Sequence, residues 1–134
     1  MNTDDVVNRF LQRVGEQDAD GIADLFDEEI DWYVPGNEAL PWTGRRSKRS
    51  EVPHYFHAMW PAFSPGKSVV EVEAVLVDGD HAAVFAHFSH VVHVTGRPFS
   101  TPSVFHIVVR DGKIVKMHLY EDTAAVSDAF MNRP

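Results

Sequence analysis

The run HAAVFAHFSHVVHVTG, residues 81–96, decides what kind of fold this chain adopts. Read with a helical period, His87, His90 and His93 fall three apart and make one stripe that resembles a metal triad. Read as a strand, the same residues separate. A period of two turns His90 away from His87 and His93, and the three cannot converge on one ion. Composition favours the strand, because Val, Phe and Ala crowd the run and turn residues flank it. Val84, Ala86, Phe88, His90 and Val92 then form the more apolar face, and His90 points inward. Such a histidine is either a hydrogen-bonded core residue or an acid–base group in a pocket.

Three more runs have the same character: SVVEVEAVLVDGD (68–80), RPFSTPSVFHIVVRDG (97–112) and KIVKMHLYE (113–121). Asp-Gly and Thr-Gly pairs divide them, which is a hairpin signal. The second half of the chain therefore reads as a four-strand antiparallel meander. The first half is helical. DDVVNRFLQRV (4–14) spaces Val6, Val7, Phe10, Leu11 and Val14 for one helix face, with acids at its start. DADGIADLF (18–26) restarts as a second helix with Asp18 as a cap, and SEVPHYFHAMW (50–60) is a third, its Pro53 tolerable only in the first turn. Between them, IDWYVPGN (30–37) is a short strand running into a Pro-Gly turn, and the stretch beyond it through Gly44 reads as loop. DTAAVSDAF (122–130) closes the chain as a short helix behind Asp122. Helices followed by a sheet make an α+β layer pattern, and 134 residues suit one domain over 1–134.

Bulk properties exclude several classes. A net charge of −8 argues against a nucleic-acid partner, since phosphate backbones call for a basic face. No apolar run approaches the roughly 18 residues of a membrane span, and the acidic start MNTDDVVNRF is unlike a signal peptide. The absence of cysteine removes disulfide and thiolate chemistry and fits a reducing cytoplasm. No phosphate loop, dinucleotide fingerprint or nucleophile elbow is present. His54 and His57 lack the Glu and the spacing of a zinc-protease helix and read as surface residues. GRRSKRS (44–50) concentrates Arg45, Arg46, Lys48 and Arg49; it is either a solvated loop or an attractor for an anionic ligand tail.

With GEQDADGIADLFDEEIDW, VPG…LPWTGRRSKRSEV and GR…RDGKIVKMHLYEDTAAVSDAF in this order, the chain resembles the SnoaL-like branch of the nuclear transport factor 2-like superfamily. The resemblance implies a cone-shaped α+β fold, with three helices closing over a curved mixed, mostly antiparallel sheet and a short C-terminal helix. It implies an apolar pocket at the wide end and a homodimer through the outer face of the sheet, for which Phe85, Val91, Phe105 and Ile107 are the outward candidates. Ketosteroid isomerases share this fold, and the first forty residues align with theirs without a gap. Their helix-1 tyrosine matches Phe10, their proton-shuttling aspartate matches Val34, and their second aspartic acid falls at or near Val104. An alkyl or phenyl group neither takes a proton nor stabilises an enolate, so that mechanism is not expected here.

In the same register the pocket-facing residues are Phe10, Val14, Trp32, Val34, Tyr55, Met59, Phe88, His90, Val104, His106, Met117, Leu119 and Glu121. The polar members suggest His90 as acid or base, His106 as its partner or an oxyanion donor, and Glu121 as the orienting group. Polyketide cyclases and scytalone dehydratase, related in fold, work by acid–base catalysis without metal or organic cofactor, although their residues do not match here position by position. The expectation is a cofactor-free isomerase, cyclase or dehydratase on a small apolar, polyketide-like molecule, binding no metal. The rivals are a non-catalytic apolar-ligand binder and a dimeric interaction module with a collapsed pocket. Convergence of His90, His106 and Glu121 would favour the enzyme. Isolated polar groups in a large pocket would favour the binder, and a pocket under about 300 Å³ the module.

Overall fold

The computed structural model describes residues 1–131. Helix α1 (Thr3–Gly15) starts where the Asn2 side chain accepts from the Asp5 N–H and buries Val6, Val7 and Phe10. Helix α2 is only Ala19–Ala23, capped by Asp18. It stops short of the expected Phe26, which instead opens strand β1 (Phe26–Val34) and pairs with Ile114. The ring of Phe26 is fully buried there against Phe10 and Trp32. Strand β2 (Gly44–Lys48) replaces what reads as loop. It has no apolar alternation to announce it, and its basic side chains meet acids on β1: Lys48 reaches its cross-strand partner Glu29 at 3.2 Å and Arg45, opposite Tyr33, lies 4.0 Å from Asp31. Helix α3 (Val52–Met59) carries Pro53 in its first turn and continues through a single 3-10 turn, Trp60–Ala62.

Four strands follow: β3 (Val69–Asp78), β4 (His81–Val91), β5 (Pro98–Arg110) and β6 (Lys113–Glu121). Helix α4 (Thr123–Phe130) ends the fold, with the Asp122 carboxylate accepting from the Ala125 N–H. The six-stranded sheet has the order β2-β1-β6-β5-β4-β3. Only the β1–β6 pair is parallel, so the sheet is mixed, curved and unclosed, with helices packed on its inner side. The core runs from Phe10, Ile22 and Phe26 through Trp32, Val52 and Phe56 to Ile107, Ile114 and Met117.

The faces of β4 are as its period requires, with Val84 and Ala86 buried inward and Phe85 outward. Strand β5 departs from the expected register. Val104 sits between Phe85 and Tyr120 on the outer face, and His106 between Ala83 and His118. Phe105 and Ile107, expected outside, point inward: Phe105 packs edge-on against Phe10, and Ile107 is fully buried. SVFHIVV is apolar on both faces, so periodicity does not fix its direction, and a slip of one residue reverses every side chain.

Candidate functional site

A cavity of about 940 Å³ lies between the helices and the sheet, well above the size at which a pocket counts as collapsed. Its wall takes Phe10 and Val14 from α1, Tyr55 and Met59 from α3, Phe88 and His90 from β4, and Met117, Leu119 and Glu121 from β6. These nine expected residues are thus brought together. Trp32 and Val34 face inward but do not line the space. Both are about 1% exposed, and Trp32 is enclosed by the rings of Phe26, Tyr55 and Phe56. Val104 and His106 lie on the opposite face of the sheet, because the register of β5 is one residue away from the expected one.

His106 belongs to a separate outer cluster. Its Nε2 is 2.9 Å from Nδ1 of His81, while His118 Nε2 is 2.8 Å from Asp31 Oδ1. Partial burial, Lys116 and the neighbouring histidines hold the His106 imidazole below its ordinary value. His93, expected on the outer face with His87, lines the cavity, because β4 ends at Val91 and the chain turns before the period reaches it. Aromatic residues beyond those expected in the pocket complete the wall: Trp42, Phe56, Trp60, Phe63, Phe99 and Phe105. Phe56 and Trp60 are visible as part of the α3 stripe, whereas Phe63 lies in a connecting segment that has no period to read.

Two ionisable side chains on the wall have environments that perturb them in opposite senses. Burial lowers the His90 imidazole to about 4, so it is neutral at physiological pH. Its Nδ1 is 2.7 Å from Ser68 Oγ, and its ring lies flat on Phe63 at 4.0 Å with an interplanar angle of 6°. Burial, with a smaller push from Asp122, raises Glu121 to about 7. Among the described residues, its carboxyl has no hydrogen-bond partner. The Tyr55 hydroxyl is held neutral by burial and by the charge of Glu121, so the two groups sense each other.

His90 and Glu121 do not form a pair. His90 is opposite Phe99 and Glu121 is opposite Ser103, which faces Ala86 four residues back along β4. That offset puts the two backbones roughly 13 Å apart along the strand direction alone. The basic cluster does not reach the cavity either. Arg45 stacks on Tyr33, Lys48 pairs with Glu29 and Arg49 with Glu28, and Arg46 borders a smaller hollow of about 350 Å³ beside Ile30 and Trp32. Among the described residues, no three His, Asp or Glu side chains are grouped to hold a metal ion, and no helix is long and apolar enough to cross a membrane.

Solved structures share this architecture. An NTF2-like protein of unknown function from Burkholderia pseudomallei aligns with a TM-score of 0.87 at 15% identity, covering 98% of both chains. TerC, co-crystallised with polyporic acid, aligns with a TM-score of 0.81 at 16% identity over 95% of this chain and 96% of its own. A protein with a ketosteroid isomerase-like fold from Catenulispora acidiphila, in complex with trimethylamine, aligns at 0.74 and 14% identity over 90% of this chain and 88% of its own. At these identities the likeness is one of fold. No curated protein matches the chain. The SnoaL-like domain model matches residues 7–117, and the chain belongs to the SnoaL-like family.

Proposed function

We propose that this protein binds a small apolar, cyclic or polyketide-like molecule in the 940 Å³ cavity and performs an isomerisation, cyclisation or dehydration on it by proton transfer through Glu121. One observation carries the reading. In a wall that is otherwise largely aromatic and aliphatic, Glu121 is a carboxyl without a protein partner among the described residues, and burial brings it to about 7, where it can both give and take a proton. Tyr55 adds a neutral hydroxyl sensed by the same carboxyl, suited to donate to a substrate oxygen. Such chemistry requires no metal or organic cofactor. Glu121 therefore takes the central role rather than an orienting one. His106 has none, and His90 is a wall residue engaged with Ser68. Phe10 and Val34 supply no acid, base or donor, so double-bond migration in a 3-oxo-Δ5-steroid by the isomerase route is not expected.

The isolation of His90 from Glu121 favours a second reading, an apolar-ligand binder without turnover. In either case the protein works in the cytoplasm, without nucleic acid or membrane. It acts as a homodimer through the outer sheet face, where Phe85, Leu76 and Tyr120 are 37%, 59% and 54% exposed. A thermal-shift screen of apolar acids and ketones identifies the ligand class, and turnover of each hit by wild type and Glu121→Gln separates the readings. Loss of turnover with retained binding supports the enzyme. Equal turnover in both proteins sinks the role of Glu121, and binding with no turnover leaves the binder.

A further inference from the structure

The segment Phe63–Ser68, FSPGKS, runs from the end of α3 and its 3-10 turn to the start of β3 and lines the cavity through Phe63, Ser64, Pro65, Gly66 and Ser68. Its two ends are held very differently. At the first end, Phe63 bridges to Val92, the Ser64 N–H donates to the Val91 carbonyl at 2.8 Å, and the His93 N–H donates to the Ala62 carbonyl at 2.8 Å. Those two backbone hydrogen bonds, which together form the bridge, make a fixed hinge. Between the ends, Lys67 closes a turn onto the Ser64 carbonyl, and Gly66 takes φ +73 with open space where a Cβ would project. Beyond Ser68 the chain enters β3, an edge strand paired only with β4, whose first residues Val69 and Val70 are more than half exposed. At this second end the segment itself is closed over the cavity by one side-chain hydrogen bond, Ser68 Oγ with His90 Nδ1 at 2.7 Å, next to the first pair of the β3–β4 ladder, Val69 with Ser89.

His90 is well placed to hold that bond. Its ring is stacked on Phe63 at 4.0 Å and flanked by Phe88 at 5.9 Å and Phe99 at 5.5 Å, so it has little freedom to follow a moving Ser68. We propose that Phe63–Ser68 is a strap that gates the cavity, hinged at Phe63–Ser64 and latched by the Ser68–His90 hydrogen bond. Opening breaks the latch, swings Pro65–Lys67 outward and frays the start of β3, while the backbone ties at the hinge stay made. Either tautomer serves, because Nδ1 accepts from the hydroxyl or its N–H donates to it. The strap goes beyond the catalytic reading: it gives His90 a positioning role and sets how fast a ligand enters and leaves, whatever happens to it inside.

Lys67 makes the strap testable without knowing the ligand. The bond after Lys67 is exposed, but trypsin needs several residues extended in its cleft, which the turn onto Ser64 and the pairing of β3 from Val69 deny it until the strap lifts, so the native-state cleavage rate at that bond reads the open population. Losing one neutral hydrogen bond should raise that population about three- to tenfold. Ser68→Ala and His90→Phe should therefore each accelerate cleavage after Lys67 by that factor, and the double variant no further, because both remove the same bond. Cleavage at other lysines and arginines should be unchanged, which separates a lifted strap from global loosening. Ser100→Ala, on the outer face of β5 and unpaired with β3, is the control and should cleave as wild type does. Unchanged cleavage in both latch variants would overturn the proposal, as would acceleration at all sites alike. If His90→Phe folds poorly, Ser68→Ala alone decides, since it removes only an oxygen from an exposed residue. These outcomes are independent of Glu121, so failure of the strap and failure of the proposed chemistry are told apart.

Discussion

Replacing Glu121 by Gln should stabilise the protein by an amount that grows as pH rises above about 4.5 and is complete only above neutral pH. The folded protein holds this carboxyl at about 7 against an ordinary 4.5, chiefly through burial. Because the folded state keeps its proton where the unfolded chain has lost it, wild-type stability falls as pH rises from 4.5 to 7 and is flat beyond. A tenfold change in proton affinity corresponds to about 1.4 kcal/mol, so the interval from 4.5 to about 7 gives a ceiling of about 3 kcal/mol for the cost of ionising Glu121 in place. An amide keeps the shape, carries no charge and does not titrate. Urea unfolding followed by tryptophan fluorescence at fixed protein concentration, at pH 4.5, 6 and 8, should show the gain of Glu121→Gln over wild type growing by about 1.4 kcal/mol for each step of one in pH up to 7 and then levelling. A difference between the two proteins that is the same at pH 4.5 and 8 would mean that Glu121 titrates as an ordinary surface acid, and the reasoning from its burial would be wrong.

His90 should behave in the opposite sense. Burial holds it at about 4 against 6.5, so the wild type loses stability as pH falls through that interval; His90→Phe should cost about 1 kcal/mol at pH 7 through the lost Ser68 bond and recover up to about 3 kcal/mol relative to wild type by pH 4, read by the same unfolding series. Asp122→Ala removes the cap on the Ala125 N–H and should cost about 1 kcal/mol at pH 7, measured by the unfolding midpoint; a loss below about 0.3 kcal/mol would show that α4 does not depend on it. Light scattering at tens of micromolar should give twice the 15.1 kDa of one chain, and a species at the single-chain mass would remove the sheet-face dimer.

Much of this arrangement is legible from residue order. The alternation Met117, Leu119, Glu121 places the buried carboxyl on the inner wall. The helix-1 stripe points Phe10 and Val14 at the same space, and the period of β4 turns His90 inward and takes His87 away. The failures have physical causes. β2 is a charged edge strand stabilised by backbone pairing and by acids on β1, so no apolar pattern marks it. β5 is apolar on both faces, and its direction is fixed only by tertiary contacts of Phe105 with Phe10 and Phe88. His93 lies past the end of its strand, where the two-residue period no longer applies. The strap residues Phe63 and Ser68 belong to a connection, and what brings them to His90 is chain closure rather than any repeat in the sequence.

The central claim is that burial poises the Glu121 carboxyl for proton transfer in an apolar cavity. The most direct measurement is the side-chain carboxyl carbon of Glu121, observed by 13C NMR through a pH titration from 3 to 9 and assigned by comparison with Glu121→Gln. A carboxyl poised in this way titrates with a midpoint near 7. A midpoint near the ordinary 4.5 would contradict the claim, leaving the cavity without a group that exchanges protons at neutral pH.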